Sequence, residues 1–203
     1  MSLAYAGLCG YLLGSLAFGV WCGRLLGIDL HRYGSGNPGA TNVQRLAGWR
    51  AGLFVLLLDM IKGAAAVLLA RMIWGPPAGL AAGLAAIAGH VWPLFARFRG
   101  GKGVATAFGV FAVAAPWSAG FGLLLFGLAL WPTRTVSLAS LTGALGLGAG
   151  MWLFDGLGIE RVTPGWLAAG MALPAFLAWT HRENLRRLLN GEEPRIRLGR
   201  RDG

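Results

Sequence analysis

The sequence predicts an all-α integral membrane protein of seven transmembrane helices, with its N-terminus outside and its C-terminus in the cytoplasm. Three observations carry that expectation. Of 203 residues, 56% are hydrophobic and 13% charged, with a mean hydropathy of +0.60, whereas a soluble domain runs nearer 25% charged. Apolar stretches recur at the ~20 residues needed to cross a bilayer. The cations, 18 Lys and Arg against 8 Asp and Glu for a net charge of +10, are spread unevenly along the chain. Disorder is excluded by the same composition, and the excess charge leaves membrane lipid and nucleic acid as partners to be told apart.

The first span is expected from Leu3 to Gly23. No basic residue precedes it, so it does not read as a cleavable signal. The second covers Ala51 to Trp74, ending before Pro76-Pro77, and the third Ala78 to Phe95. The run from Val104 to Trp131 is too long for one span and is interrupted by Pro116, so it reads as a tight helical hairpin forming spans four and five. The sixth runs from Ser137 to Phe154 and the seventh from Gly165 to Trp179. In this arrangement the cytoplasmic segments receive Arg24, Arg32, Arg45 and Arg50, then Arg97, Arg99 and Lys102, then Arg134 and the arginines of the tail. That is 15 of 18 cations, the bias that fixes orientation. A five-span arrangement with a re-entrant hairpin keeps the same parity and stays open. The chain, 1–203, is expected to be a single polytopic domain with a basic cytoplasmic tail from about residue 181.

The 34 glycines suit close helix packing in lipid, where small residues let backbones approach. Cys9 and Cys22 share the first span, roughly 20 Å apart along a continuous helix, and imply neither a disulfide nor a metal site. Asp59 and Lys62 stand inside the second span, on one helix face where they can neutralise each other. They read as a structural pair orienting that helix.

Polar chemistry concentrates in the cytoplasmic segments. SGNPGATNVQR (35–45) can offer backbone N–H groups, hydroxyls and amides to an anion, or be an ordinary turn with helix caps. GHVWPLFARFRGGKGVAT (89–106) places Gly100-Gly101-Lys102-Gly103 directly before an apolar helix, where a helix N-terminus and a cation can converge on phosphate. The spacing is not that of a nucleotide P-loop, and a flexible basic turn is the competing reading. His90 reads as a hydrogen-bonded structural histidine. HRENLRRLLNGEE (181–193) forms an amphipathic basic helix, with His181 and Asn184 sharing one face and Arg182, Arg186 and Arg187 suited to anionic lipid. Ser137 and Ser140 add a further polar cluster beside Arg134. The scarcity of acids gives no support to a metal-centred or two-carboxylate mechanism.

In order and spacing, these three segments resemble the signature motifs of the bacterial acyl-phosphate:glycerol-3-phosphate acyltransferase family, and TRTVSLAS (133–140) resembles a further family segment. The resemblance spans Ser35 to Glu193. It implies a seven-helix inner-membrane fold with a cytoplasmic active site, and transfer of a fatty acyl group from acyl phosphate to the 1-hydroxyl of glycerol 3-phosphate. Lysophosphatidate and phosphate are the implied products. Lys102, His181 and Ser35 are the implied catalytic residues, and Gly36, Asn37, Thr41, Asn42, Arg45, Gly100, Gly101, Gly103, Thr106, Ser137 and Asn184 the implied substrate-binding residues. No cofactor or metal is implied. The implied partners are both substrates, membrane lipid and an acyl-phosphate-synthesising enzyme; nucleic acid is not among them. Either His181 or the acceptor's own phosphate takes the hydroxyl proton. Thr135, Trp92 and Arg99 stand where the family more often has tyrosine, phenylalanine and lysine. An anion transporter is the rival from another class, but inverted repeats with broken helices have no obvious counterpart in the two halves. A nucleic-acid binder would need aromatic interleaving in the tail, which is absent from Arg182 to Arg201.

Overall fold

The computed structural model describes residues 1–196; Arg197, Arg200 and Arg201 of the tail lie outside the described residues. All regular structure among those residues is helical, and the chain divides into two compact units, Met1–Pro116 and Trp117 onward. The first holds α1 (Ser2–Gly14), α2 (Phe18–Leu25), α3 (Ala40–Ala47), α4 (Trp49–Trp74), α5 (Pro76–Val91), a 3₁₀ turn (Leu94–Ala96) and α6 (Val104–Ala114). The second holds α7 (Pro116–Thr133), α8 (Val136–Gly156), α9 (Pro164–Thr180) and α10 (Arg182–Leu189). Among the described residues, four segments are long and apolar enough to cross a membrane: Ser2–Leu25, Trp49–Trp74, Pro76–Ala96 and Val136–Gly156. The expected interruption of the Val104–Trp131 run falls between α6 and α7, at Ala115 and Pro116.

Helix α4 organises the first unit, packing against α1, α3, α5 and α6. Its 26 residues span about 39 Å at 1.5 Å per residue, more than the ~30 Å hydrocarbon core, and Trp49 and Trp74 mark its ends as interfacial tryptophans do. Its buried face carries Gly52, Val55, Asp59, Lys62, Gly63, Ala66 and Ala70. Its exposed face carries Leu53, Phe54, Leu57, Ile61, Leu68 and Met72. Small and charged residues inside with large apolar ones outside invert the soluble pattern, because the surrounding solvent is hydrocarbon.

Helices α1 and α5 meet backbone to backbone. A Cβ on Gly10 or Gly14 would lie 2.2 or 2.1 Å from the carbonyl oxygens of Ala82 and Ala86, the close approach that small residues permit in lipid. The expected continuous first span is broken at Ser15–Ala17, between α1 and α2. Lys62 Nζ donates to the Leu16 carbonyl freed by that break, at 2.8 Å.

In the second unit a carboxylate caps a helix. Glu160 is 7% exposed and accepts from the Trp117 N–H at 2.8 Å, the Ser118 N–H at 3.2 Å and the Ser118 hydroxyl. The first N–H groups of α7 have no partner within the helix, and a negative charge there also complements the helix dipole. Glu160→Ala is expected to destabilise the protein by about 1–3 kcal/mol, the cost of leaving buried donors unpaired. Thermal unfolding in detergent checks it, and an unchanged midpoint would deny the cap its role.

Candidate functional site

The first unit brings two of the three polar segments into well-defined shapes. In the first segment Asn42 is 2% exposed and acts as a clamp. Its Oδ1 accepts the Ser35 N–H at 2.9 Å, and its Nδ2 donates to the carbonyls of Leu30 and Tyr33 at 3.2 and 3.1 Å. Asn37 Oδ1 accepts the Gly39 N–H at 3.1 Å, a local turn that delivers the chain into α3. Ser35, Gly36 and Arg45 are exposed and Thr41 is half-buried. Arg45 lies in the last turn of α3, where a cation is favoured by the helix dipole.

In the second segment the chain leaves α5, makes the 3₁₀ turn, passes through left-handed Arg97 and Phe98 at φ 54° and 59°, and returns to α5. The Gly100 N–H donates to the Val91 carbonyl at 3.2 Å and the Gly101 N–H to the His90 carbonyl at 3.1 Å. Those two donors are committed to the chain itself, and the glycines serve chiefly by lacking side chains: a Cβ on Gly101 would lie 2.2 Å from His90 Nε2. The loop then reaches Gly103, at φ +87°, which caps α6. Lys102 is half-buried immediately before it. The first N–H groups of α6 have no partner within their own helix, and Lys102 directly precedes the Gly103 cap in the chain. Thr106 lies fully buried in the first turn of α6, against Gly63 of α4.

Below this loop Asp59, Lys62 and His90 meet in a buried cluster. Lys62 Nζ is 2.7 Å and His90 Nδ1 3.4 Å from Asp59 Oδ1. The first two were legible from their spacing on one helix; the convergence of His90 on them was not, because it comes from another helix. A small cavity touches this cluster, Gly100, Gly101 and Pro38 of the first segment.

The second unit gathers the remaining residues. His181 is 3% exposed at the junction of α9 and α10, with Nδ1 2.8 Å from the Leu177 carbonyl. A carbonyl can only accept, so the neutral ring carries its proton on Nδ1 and keeps its basic lone pair on Nε2. Ser137 and Asn184 come together on a residue the sequence did not single out. Glu193 Oε1 accepts from Ser137 Oγ at 2.8 Å and from Asn184 Nδ2 at 2.5 Å, while Oε2 pairs with Arg187 Nε at 2.8 Å. Ser140 Oγ is spent on the Val136 carbonyl of its own helix. The tail continues from Glu193 so that the Ile196 N–H reaches the Arg134 carbonyl at 2.8 Å.

Burial by itself would raise the Glu193 carboxyl. The hydrogen bonds from Asn184, Ser137 and Arg187, with the Arg187 charge, outweigh it and hold the group below the ordinary carboxylate range. A group depressed in the folded state contributes stability above its unfolded pKa and loses it as pH falls through the folded one. Tail docking is therefore expected to persist through ordinary carboxylate titration and to fail only at more acid pH, and Glu193→Gln to weaken it at neutral pH. Amide hydrogen exchange at Ile196 reads both, with protection falling about fivefold or more in the variant for the loss of a charge-assisted pair; equal protection would show that Glu193 does not hold the tail.

The family model described as glycerol-3-phosphate acyltransferase matches residues 4–191. Proteins named glycerol-3-phosphate acyltransferase are similar over nearly the whole chain. One from Anaeromyxobacter sp. (strain Fw109-5) is 44% identical over 199 residues, covering 93% of this chain and 94% of the relative. Another, from Agrobacterium fabrum (strain C58 / ATCC 33970), is 42% identical over 196 residues, covering 96% and 92%. Two crystal structures of PlsY (YgiH), an integral membrane glycerol 3-phosphate acyltransferase, are 38% identical and each cover 97% of this chain and 96% of their own. The glycerol 3-phosphate form has a TM-score of 0.88 and the lysophosphatidic acid form 0.84.

Proposed function

Because the chain belongs to the glycerol-3-phosphate acyltransferase family, we propose that it transfers a fatty acyl group from acyl phosphate to the 1-hydroxyl of glycerol 3-phosphate. The products are lysophosphatidate and inorganic phosphate, in the first acylation step of phospholipid synthesis. The hydroxyl oxygen attacks the acyl carbonyl carbon, the bond from that carbon to the phosphate oxygen breaks, and the hydroxyl proton passes to a base. The observation that carries the reading is the braced glycine loop, which runs through Lys102 into the N-terminus of α6, where no side chain caps the helix. An acyl donor whose leaving group is phosphate needs mainly placement and charge stabilisation, and that combination suits it.

Lys102, Gly103 and the α6 N-terminus would hold a substrate phosphate, with Gly100, Gly101 and Thr106 shaping the loop. Ser35, Gly36, Asn37, Thr41 and Arg45 would bind on the glycerol 3-phosphate side, Asn42 keeping their loop in shape. In the second unit Ser137 and Asn184 would contribute further polar contacts and His181 Nε2 would serve as the base. Fifteen of the 18 cations fall on the predicted cytoplasmic side, which supports an outside N-terminus and a cytoplasmic active site; seven spans in a bacterial inner membrane are inferred from the family alone. The family match covers residues of both units, which supports one acyltransferase domain. An enzyme that makes acyl phosphate is the partner this chemistry requires.

The test supplies purified protein with labelled glycerol 3-phosphate and either palmitoyl phosphate or palmitoyl-CoA. Lysophosphatidate is expected from the phosphate alone. Product formed only from the thioester, or no product, would overturn the donor assignment.

A further inference from the structure

The buried cluster of Asp59, Lys62 and His90 is larger than charge balance requires. Asp59 and Lys62 already neutralise each other within α4, at 2.7 Å, and the Lys62 ammonium is further satisfied by the Leu16 carbonyl. Nothing in that pairing calls for a histidine from α5. His90 nevertheless turns Nδ1 toward Asp59 Oδ1, at an ion-pair distance of 3.4 Å rather than in a hydrogen bond. The opposite edge of its ring lies under the glycine loop, so close that a methyl on Gly101 would stand 2.2 Å from Nε2, 3.1 Å from Cε1 and 3.2 Å from Cδ2. The His90 carbonyl also accepts the Gly101 N–H. One residue thus supports Gly101 through its backbone on one side and its ring on the other.

We propose that Asp59, Lys62 and His90 form a positioning device for the phosphate-binding loop. Lys62 fixes Asp59, Asp59 sets the orientation of the His90 ring, and the ring sets the height of the Gly100–Lys102 backbone. That height determines where the Lys102 side chain and the first N–H groups of α6 stand relative to a bound phosphate. His90 is a positioning residue: it acts through the loop and does not touch the reacting atoms. The inference rests on the reading that this loop holds a substrate phosphate.

A charge pair that merely stabilised α4 would change the melting temperature without coupling to Gly101. The test is therefore a double-mutant cycle on the full-length protein, using His90→Ala, Gly101→Ala and the combined variant. KM for palmitoyl phosphate and kcat are measured at saturating glycerol 3-phosphate, with the melting temperature alongside. Gly101→Ala is expected to raise the KM for palmitoyl phosphate by about thirtyfold or more, because a displaced loop loses several phosphate contacts. His90→Ala is expected to raise KM about tenfold with kcat within about threefold, the signature of lost positioning of a bound group. The KM of the double variant is expected to lie at least about tenfold below the product of the two single increases, since removing the ring makes room for the methyl. Should His90→Ala fail to fold, His90→Asn, smaller than the imidazole, runs the same cycle. Losses that simply multiply, or a His90 variant that shifts the melting temperature but not KM, would overturn the positioning role while leaving the loop's own role intact. Gly101→Ala that leaves the KM for palmitoyl phosphate unchanged would overturn the reading of the loop itself, and this inference with it.

Discussion

Lys102→Ala is expected to lower kcat/KM by about 10²–10³, the loss typical of removing one preorganised charge or donor from a developing negative centre. Negative charge in this reaction accumulates on the departing phosphate and on the attacked carbonyl oxygen. Lys102 stands at the end of a loop pinned by Gly100 and Gly101 to the last turn of α5, so its ammonium approaches from a prepared position. The protein should otherwise remain folded, because Lys102 is half-buried and lies outside the helices. Steady-state kinetics alongside a thermal melt separates the two effects. Lys102→Arg keeps the charge but broadens it over a planar fork, and should recover part of the activity. Wild-type turnover in Lys102→Ala would remove the residue from the site.

His181→Gln is expected to reduce kcat by about 10²–10⁴, the contribution of a positioned general base. The glutamine amide preserves a donor for the Leu177 carbonyl, which holds Nδ1 in the native ring at 2.8 Å, so the junction of α9 and α10 should survive. What disappears is the basic nitrogen. A rise in KM with kcat held within about tenfold would instead make His181 an anchor for the acceptor and assign the proton to the acceptor's own phosphate.

The membrane-spanning helices were readable because hydrocarbon imposes a length and a composition on them, as in Trp49–Trp74, where a 26-residue helix matches a nearly unbroken apolar run. The break at Ser15–Ala17 left no comparable trace. The run there continues as Ser-Leu-Ala without proline or charge, and Gly14 beside it is one of five glycines from Leu3 to Gly23; the carbonyl released at Leu16 is met by Lys62 from 46 residues away. The loop at Gly100–Gly103 was legible as a loop before a helix. Which of its amides face inward depends on carbonyls of Val91 and His90 that only the returning chain brings near. Glu193 was hidden for the same reason. In sequence it is one acid at the end of a basic segment, and only the fold back onto Ser137, Asn184 and Arg187 distinguishes it from the exposed Glu192 beside it.

The spacing of Asp59 and Lys62 also bears on how the chain enters the membrane. Each of these residues near the centre of a helix would cost about 2.5–3.5 kcal/mol at insertion. Because they lie three residues apart on α4, each carries its counter-ion within the same segment. The centre of helix α4 can therefore leave the insertion machinery nearly neutral, with Arg50 and Arg71 lying towards its ends, while α5, with His90, is still being synthesised. A pair divided between two helices would have to enter unmatched and find its partner in the lipid. Local pairing lets biogenesis proceed one helix at a time, and the histidine joins only when the bundle closes.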